Sequence, residues 1–121
     1  MRAVPTRDTS AELRVVRLVR GRWRYTRSTR DLPGRPDLVL TDAGVAVFVD
    51  GCFWHGCPRH YKPPRNNAEW WAAKIEGNRR RDRRQSARLR RMGWSVVRLM
   101  EHETDESVLR RLERVAGPPR R

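Results

Sequence analysis

Asp37-Leu38-Val39-Leu40-Thr41-Asp42-Ala43-Gly44-Val45-Ala46-Val47-Phe48-Val49-Asp50 decides the fold. Two short, nearly continuous apolar runs flank the turn residues Asp42-Ala43-Gly44. That is the pattern of a hairpin whose strands are buried on both faces. Downstream, the spacing predicts a long helix over 68–92, with a bend at Gly77 and Gly93 as its stop. Trp94-Ser95-Val96-Val97-Arg98-Leu99-Met100 reads as a third buried strand. The crossover from the Val45 strand through the long helix to the Trp94 strand is long enough for a parallel pair. Upstream, Asp8-Thr9-Ser10-Ala11-Glu12 opens a helix. Asp8 or Thr9 can cap it, and Glu12 stands where a capping-box partner of Thr9 belongs. Leu13, Val16 and Val19 continue it, and Gly21 ends it. Trp23 and Tyr25, among alternating basic residues, read as a short strand, and a last helix is expected over 105–115. This order indicates one small α/β domain over 1–121, with a frayed basic tail at 116–121.

The formal net charge is +14 over 121 residues, and every basic residue except Lys62 and Lys74 is arginine. Arginine suits bidentate contact with phosphate, so nucleic acid is the expected partner, against the plainer reading of a solvated basic surface. No apolar stretch approaches the ~20 residues of a membrane span. No signal peptide is visible, so a cytoplasmic location is expected. Both cysteines lie close to histidines, which favours metal over a disulfide.

The chemistry concentrates at the ends of the hairpin strands. Asp37 follows a proline at the start of one strand, and Asp50 ends the next. Mg²⁺ takes one or two carboxylates plus water and substrate phosphate, and a hairpin can bring these two positions together. Cys52-x4-Cys57-x2-His60 offers thiolates and an imidazole of the kind Zn²⁺ prefers, with His102 as the candidate fourth ligand. His55 remains as a general base for water, a further zinc ligand or a packed side chain. Phe53-Trp54 and Trp70-Trp71 either fill the core or stack on bases. In the long helix, Trp71, Ile75, Asn78, Asp82, Gln85, Leu89 and Met92 share one face that is apolar at both ends and polar in the middle. Asn78 and Asp82 are therefore expected to point toward the metal sites or to bind backbone there. Arg79, Arg80, Arg83, Arg84, Arg88, Arg90 and Arg91 are candidate phosphate contacts.

Taken together, these residues resemble the very-short-patch repair endonucleases, the DNA mismatch endonucleases of bacteria. The likeness runs through Arg7-Asp8-Thr9, Leu32-Pro33-Gly34-Arg35-Pro36-Asp37, Phe48 to His55, Trp71-x2-Lys74-Ile75-x2-Asn78-x2-Arg81-Asp82 and Gly93-Trp94 to Glu101. The resemblance implies a restriction-endonuclease-like fold, a central mixed sheet flanked by helices, with a structural zinc site. It implies Mg²⁺-dependent nicking of one strand 5′ to the thymine of a T·G mismatch left by deamination of 5-methylcytosine. By position, Asp37 looks like the metal-binding carboxylate, the Val49 carbonyl like a second ligand, and His55 like the catalytic histidine. Asp50 stands where the family has another histidine, and is expected to share the metal and catalytic roles. Cys52, Cys57, His60 and His102 look like the zinc ligands, in altered order and spacing, with His102 in place of a cysteine. Met100 replaces a family tryptophan, and Met1 falls where relatives carry an N-terminal arm that helps to grip DNA. Phe53, Trp54 and Trp71 resemble aromatics that wedge into DNA. Lys74, Asn78 and Arg81 match its DNA-facing motif, while Glu12 and Asp82 resemble supporting acids. The expected partners are double-stranded DNA with a T·G mismatch and other mismatch-repair proteins, bound by a monomer. The rival expectations are a restriction-type or phage-defence endonuclease and a zinc-stabilised DNA-binding module without catalysis.

Overall fold

The computed structural model describes residues 10–50 and 67–118. The expected cap at Thr9 and the Cys52–His60 cluster, with Phe53, Trp54 and His55, lie outside them. The described elements run in the order α1 (Ser10–Val19), β1 (Tyr25–Thr26), β2 (Leu38–Leu40), β3 (Val45–Asp50), α2 (Ala68–Arg91), β4 (Ser95–Met100) and α3 (Asp105–Ala116). The strands form one sheet in the order β1-β2-β3-β4. β1 and β2 are antiparallel, β2 and β3 form the expected hairpin with Leu38 opposite Val47, and β3 and β4 are parallel with Asp50 opposite Met100.

Alternation along the strands divides the core into two layers. Leu38, Leu40, Val45, Val47, Val97 and Leu99 pack with Val15, Val16 and Val19 of α1 and Val108 and Leu112 of α3. Val39, Ala46 and Phe48 point the other way and meet Leu89 of α2. The sheet is thus sandwiched between α1 and α3 on one side and α2 on the other, the mixed α/β architecture expected from the sequence. Among the described residues no helix is long and apolar enough to cross a membrane.

Three local expectations need correction. Trp23 lies before β1 rather than in a strand. It is buried, and its Nε1 donates to the carbonyl of Gly117 at 3.3 Å. β1 itself is only two residues long. Just past it, the Ser28 N–H donates to Thr26 Oγ1 at 3.1 Å, a local bond that competes with the ladder. Met92, expected on the inner face of α2, is 56% exposed, and Ser86 is buried instead. A spacing of seven drifts about 20° per heptad around a straight helix, so the buried stripe moves on before its end.

Gly77 does not interrupt α2, which runs unbroken for 24 residues. A Cβ added at Gly77 would meet nothing within 4 Å. Gly77→Ala is therefore expected to stabilise the protein by about 0.5–1 kcal/mol, read as a higher urea midpoint with an unchanged slope. A lower midpoint would mean that the helix needs glycine here.

Candidate active site

Asp37 sits at the entrance to β2. Its backbone N–H donates to the Val47 carbonyl at 2.9 Å, which extends the hairpin ladder by one bond. Its carboxylate accepts from the Val49 N–H at 2.6 Å. Register decides this contact: with Leu38 opposite Val47, the Asp37 side chain reaches along β3 to the next backbone donor. The backbone of Val49 therefore lies against the carboxylate.

The electrostatics around Asp37 are unusual for a carboxylate. Burial, a hydrogen bond with the Glu12 side chain and the nearby charges of Glu12 and Asp50 push its pKa up to about 8. Only the Val49 N–H pulls it down. Glu12 comes from the first turn of α1, is 2% exposed, and accepts from Arg27 Nη2 at 2.5 Å. It shares the inner face of that helix with Val15, Val16 and Val19. A carboxylate within an apolar stripe demands a partner, and here it has Arg27 on one side and Asp37 on the other.

Asp50 and Asp82 meet around Arg98 of β4, a residue the sequence reading passed over. Arg98 Nη1 lies 3.4 Å from Asp50 Oδ1 and 3.8 Å from Asp82 Oδ1. Nη2 donates to the Asp82 carbonyl at 3.1 Å, and Nε donates to Ser86 Oγ at 3.0 Å. The guanidinium lies 4.0 Å from the centre of the Phe48 ring, a cation–π contact. The signal was present: an arginine in the middle of a strand buried on both faces must be paired. Asp82 does point toward the Asp37 region, as expected, and it does so as a partner of Arg98.

These side chains line one cleft of about 560 Å³. Asp37, Asp50 and Asp82 contribute its acids, and Arg30, Arg35 and Arg81 line it with them. Among the described residues no three His, Cys, Asp or Glu side chains are grouped closely enough to cage a metal. Mg²⁺ does not need such a cage, because it keeps several waters and takes phosphate oxygens as ligands. A half-buried carboxyl that feels the charges of Glu12 and Asp50 fits a hard cation, whose charge relieves that repulsion.

Other expected site residues lie apart from this cleft. Trp70 and Trp71, in the first turn of α2, stack edge to face with centroids 4.7 Å apart. Trp70 is 58% exposed and Trp71 is half-buried, so the pair does face two ways. Lys74 is exposed, and Asn78 is half-buried farther along the helix. The run of arginines on α2 is exposed as expected, with Arg80 and Arg83 each pairing with Glu76, at 3.5 and 3.4 Å. His102 lies in the turn after β4. There the Glu101 N–H donates to the Asp50 carbonyl at 3.0 Å, which sets the end of β3 beside the turn that carries His102.

The sequence model of the family described as DNA mismatch endonuclease Vsr matches residues 1–61. The DNA mismatch endonuclease Vsr of Escherichia coli K12 is 40% identical over 122 residues, covering 93% of this chain and 78% of that protein. The Type II nicking enzyme V.XorIIP of Xanthomonas oryzae is 37% identical over 88% of this chain and 79% of its own length. The Type II nicking enzyme V.NaeI of Lentzea aerocolonigenes is 48% identical over 57% of this chain and 42% of its own. The matched family region contains Glu12, Asp37 and Asp50, the acids that the fold brings together, and on these matches the chain belongs to the DNA mismatch endonuclease Vsr family.

Proposed function

We propose that this protein nicks one strand of duplex DNA on the 5′ side of the thymine in a T·G mismatch, by Mg²⁺-dependent hydrolysis. The observation that carries the reading is the Asp37 carboxyl, buried against Glu12 and beside Asp50 in a cleft that arginines also line. Names of relatives support it, since they include a DNA mismatch endonuclease and several nicking enzymes.

Asp37 and the Val49 carbonyl would hold Mg²⁺, with Asp50 alongside. When bound, the ion supplies charge to the scissile phosphate and lowers the pKa of a coordinated water. Glu12, anchored by Arg27, positions the Asp37 carboxyl. In this reading His55 takes the proton from the attacking water. Lys74, Asn78 and Arg81 contact the strand, and Phe53, Trp54 and Trp71 wedge beside the mismatch. Cys52, Cys57, His60 and His102 form a structural zinc site, a reading supported by the exit of β3 beside the His102 turn.

The test uses purified protein, Mg²⁺ and end-labelled duplexes, either matched or carrying single mismatches in varied contexts. A nick confined to the T·G strand supports the proposal, and elemental analysis of the same protein should find one zinc per chain. Cutting of matched duplex would favour a restriction-type enzyme instead. Binding with no cutting in any context would leave a DNA-binding module.

A further inference from the structure

We propose that Arg35 is a substrate-contact residue whose guanidinium takes a phosphodiester of the duplex entering the Asp37 cleft. The identity of that anion rests on the nicking reading above. The conformation of Arg35 rests on nothing but the fold.

Arg35 has a φ of 48°, in the left-handed region that residues other than glycine seldom adopt. It also precedes Pro36, whose ring pushes the preceding residue toward extended backbone, with φ near about −120°. The conformation is therefore disfavoured twice. Glycine would meet the same backbone demand at lower cost, and asparagine tolerates it better than arginine does.

The surroundings hold Arg35 in place from both sides. Gly34, at φ 75°, lies so close to α2 that a Cβ there would stand 2.7 Å from Gln85 Oε1. The Arg35 N–H donates to the Leu32 carbonyl at 3.0 Å. On the other side Pro36 is fully buried, and its carbonyl accepts from Thr29 Oγ1. Asp37 is then tied to Val47. Strain persists where packing over-determines it in this way, and it gathers at ligand sites.

The side chain supplies the reason for placing an arginine there. Arg35 is exposed and lines the cleft with Asp37, and its guanidinium has no hydrogen-bond or ion-pair partner among the described residues. Arg98, in the same cleft, is fully engaged by Asp50, Asp82 and Ser86. Among the described residues Arg35 is thus a cation at the cleft with no anion of its own, held by the chain that presents the Asp37 carboxylate.

The test compares the full-length protein with Arg35→Gly and Arg35→Ala, binding a labelled duplex without added Mg²⁺ and without chelator over a range of salt concentrations. Both variants should bind about tenfold more weakly at low salt, and the slope of log affinity against log salt should become shallower by about one. Arg35→Gly should also melt a few degrees above wild type, because it relieves the backbone, whereas Arg35→Ala should not. Wild-type affinity and slope in both variants would overturn the inference. Nicking is scored separately on the same duplexes with Mg²⁺. Wild-type protein that binds but never nicks overturns the nicking reading, while the difference in slope still decides the role of Arg35.

Discussion

Asp37→Asn is expected to reduce nicking at least about a thousandfold and, in metal-free buffer at pH 9, to make the protein more stable. The loss of activity follows from removing the charge that would hold the metal, whose transition-state stabilisation is worth several kcal/mol, or ~10³ in rate. The gain in stability follows from the raised pKa. Asp37 titrates at about 8 in the folded protein, against an ordinary value of 3.8. Between those values the folded state binds more protons than the unfolded state. Stability contributed by the neutral acid is therefore complete below pH 3.8, falls as the pH rises, and is gone above about 8. Asparagine keeps an oxygen to accept from the Val49 N–H and carries no charge at any pH. The variant should exceed wild type by about 2 kcal/mol at pH 9, several degrees in Tm, and match it near pH 3.5. Mg²⁺ should raise the Tm of wild type and leave the variant unmoved. A variant less stable than wild type at pH 9 would show that the carboxylate is not repelled there, and one that nicks at a tenth of the wild-type rate would remove Asp37 from the mechanism. This is the trade expected where function stores a charge that folding resists.

The framework was legible because local pattern and burial coincide in it. The apolar runs of 38–40 and 45–49 predicted strands buried on both faces, and β2 and the first four residues of β3 are buried throughout. The crossover length predicted a parallel β3–β4 pair, which the register confirms. The candidate site was legible only in part. Asp37 and Asp50 could be assigned to one hairpin, but Glu12 read from local pattern as a helix-capping residue and only by resemblance as a supporting acid, since its partners Arg27 and Asp37 are remote in sequence. Its place among Val15, Val16 and Val19 on one helix face is a sign of burial that the sequence reading did not use. Arg35 was quoted within a family motif, yet its left-handed φ is a property of backbone packing against Gln85 and Thr29 that no local pattern encodes. Arg98 went unremarked for a related reason. Strand patterning marks it as a buried charge, but three-dimensional placement is needed to find two acids and a serine converging on it.

That convergence makes Arg98→Met the substitution with the largest expected cost in stability, about 3–5 kcal/mol. Arg98 is 21% exposed in its side chain, and Asp50 and Asp82 are each 12% exposed, so all three are largely withdrawn from bulk water. Methionine fills the volume over Phe48 but takes from Asp50 and Asp82 the guanidinium they share, leaving Arg81, 3.8 Å from Asp82 Oδ1, at the more exposed side of the group. Removing one member of a buried ionic group costs more than the group contributes, because the remaining charges keep their desolvation penalty. For a domain of ordinary stability, ~5–15 kcal/mol, that is a large fraction of the total. The triple variant Arg98→Met with Asp50→Asn and Asp82→Asn should recover most of the loss, since it removes together the charges that Arg98 balances. Arg98→Lys should recover less, because an ammonium cannot span Asp50, Ser86 and the Asp82 carbonyl at once. Urea unfolding of the set measures the coupling directly. A cost below about 1 kcal/mol for Arg98→Met would place it in the range of exposed pairs, and the acids would then have to be solvated in the cleft. No recovery in the triple variant would instead assign the role of Arg98 to its packing on Phe48 and its tie to Ser86 of α2.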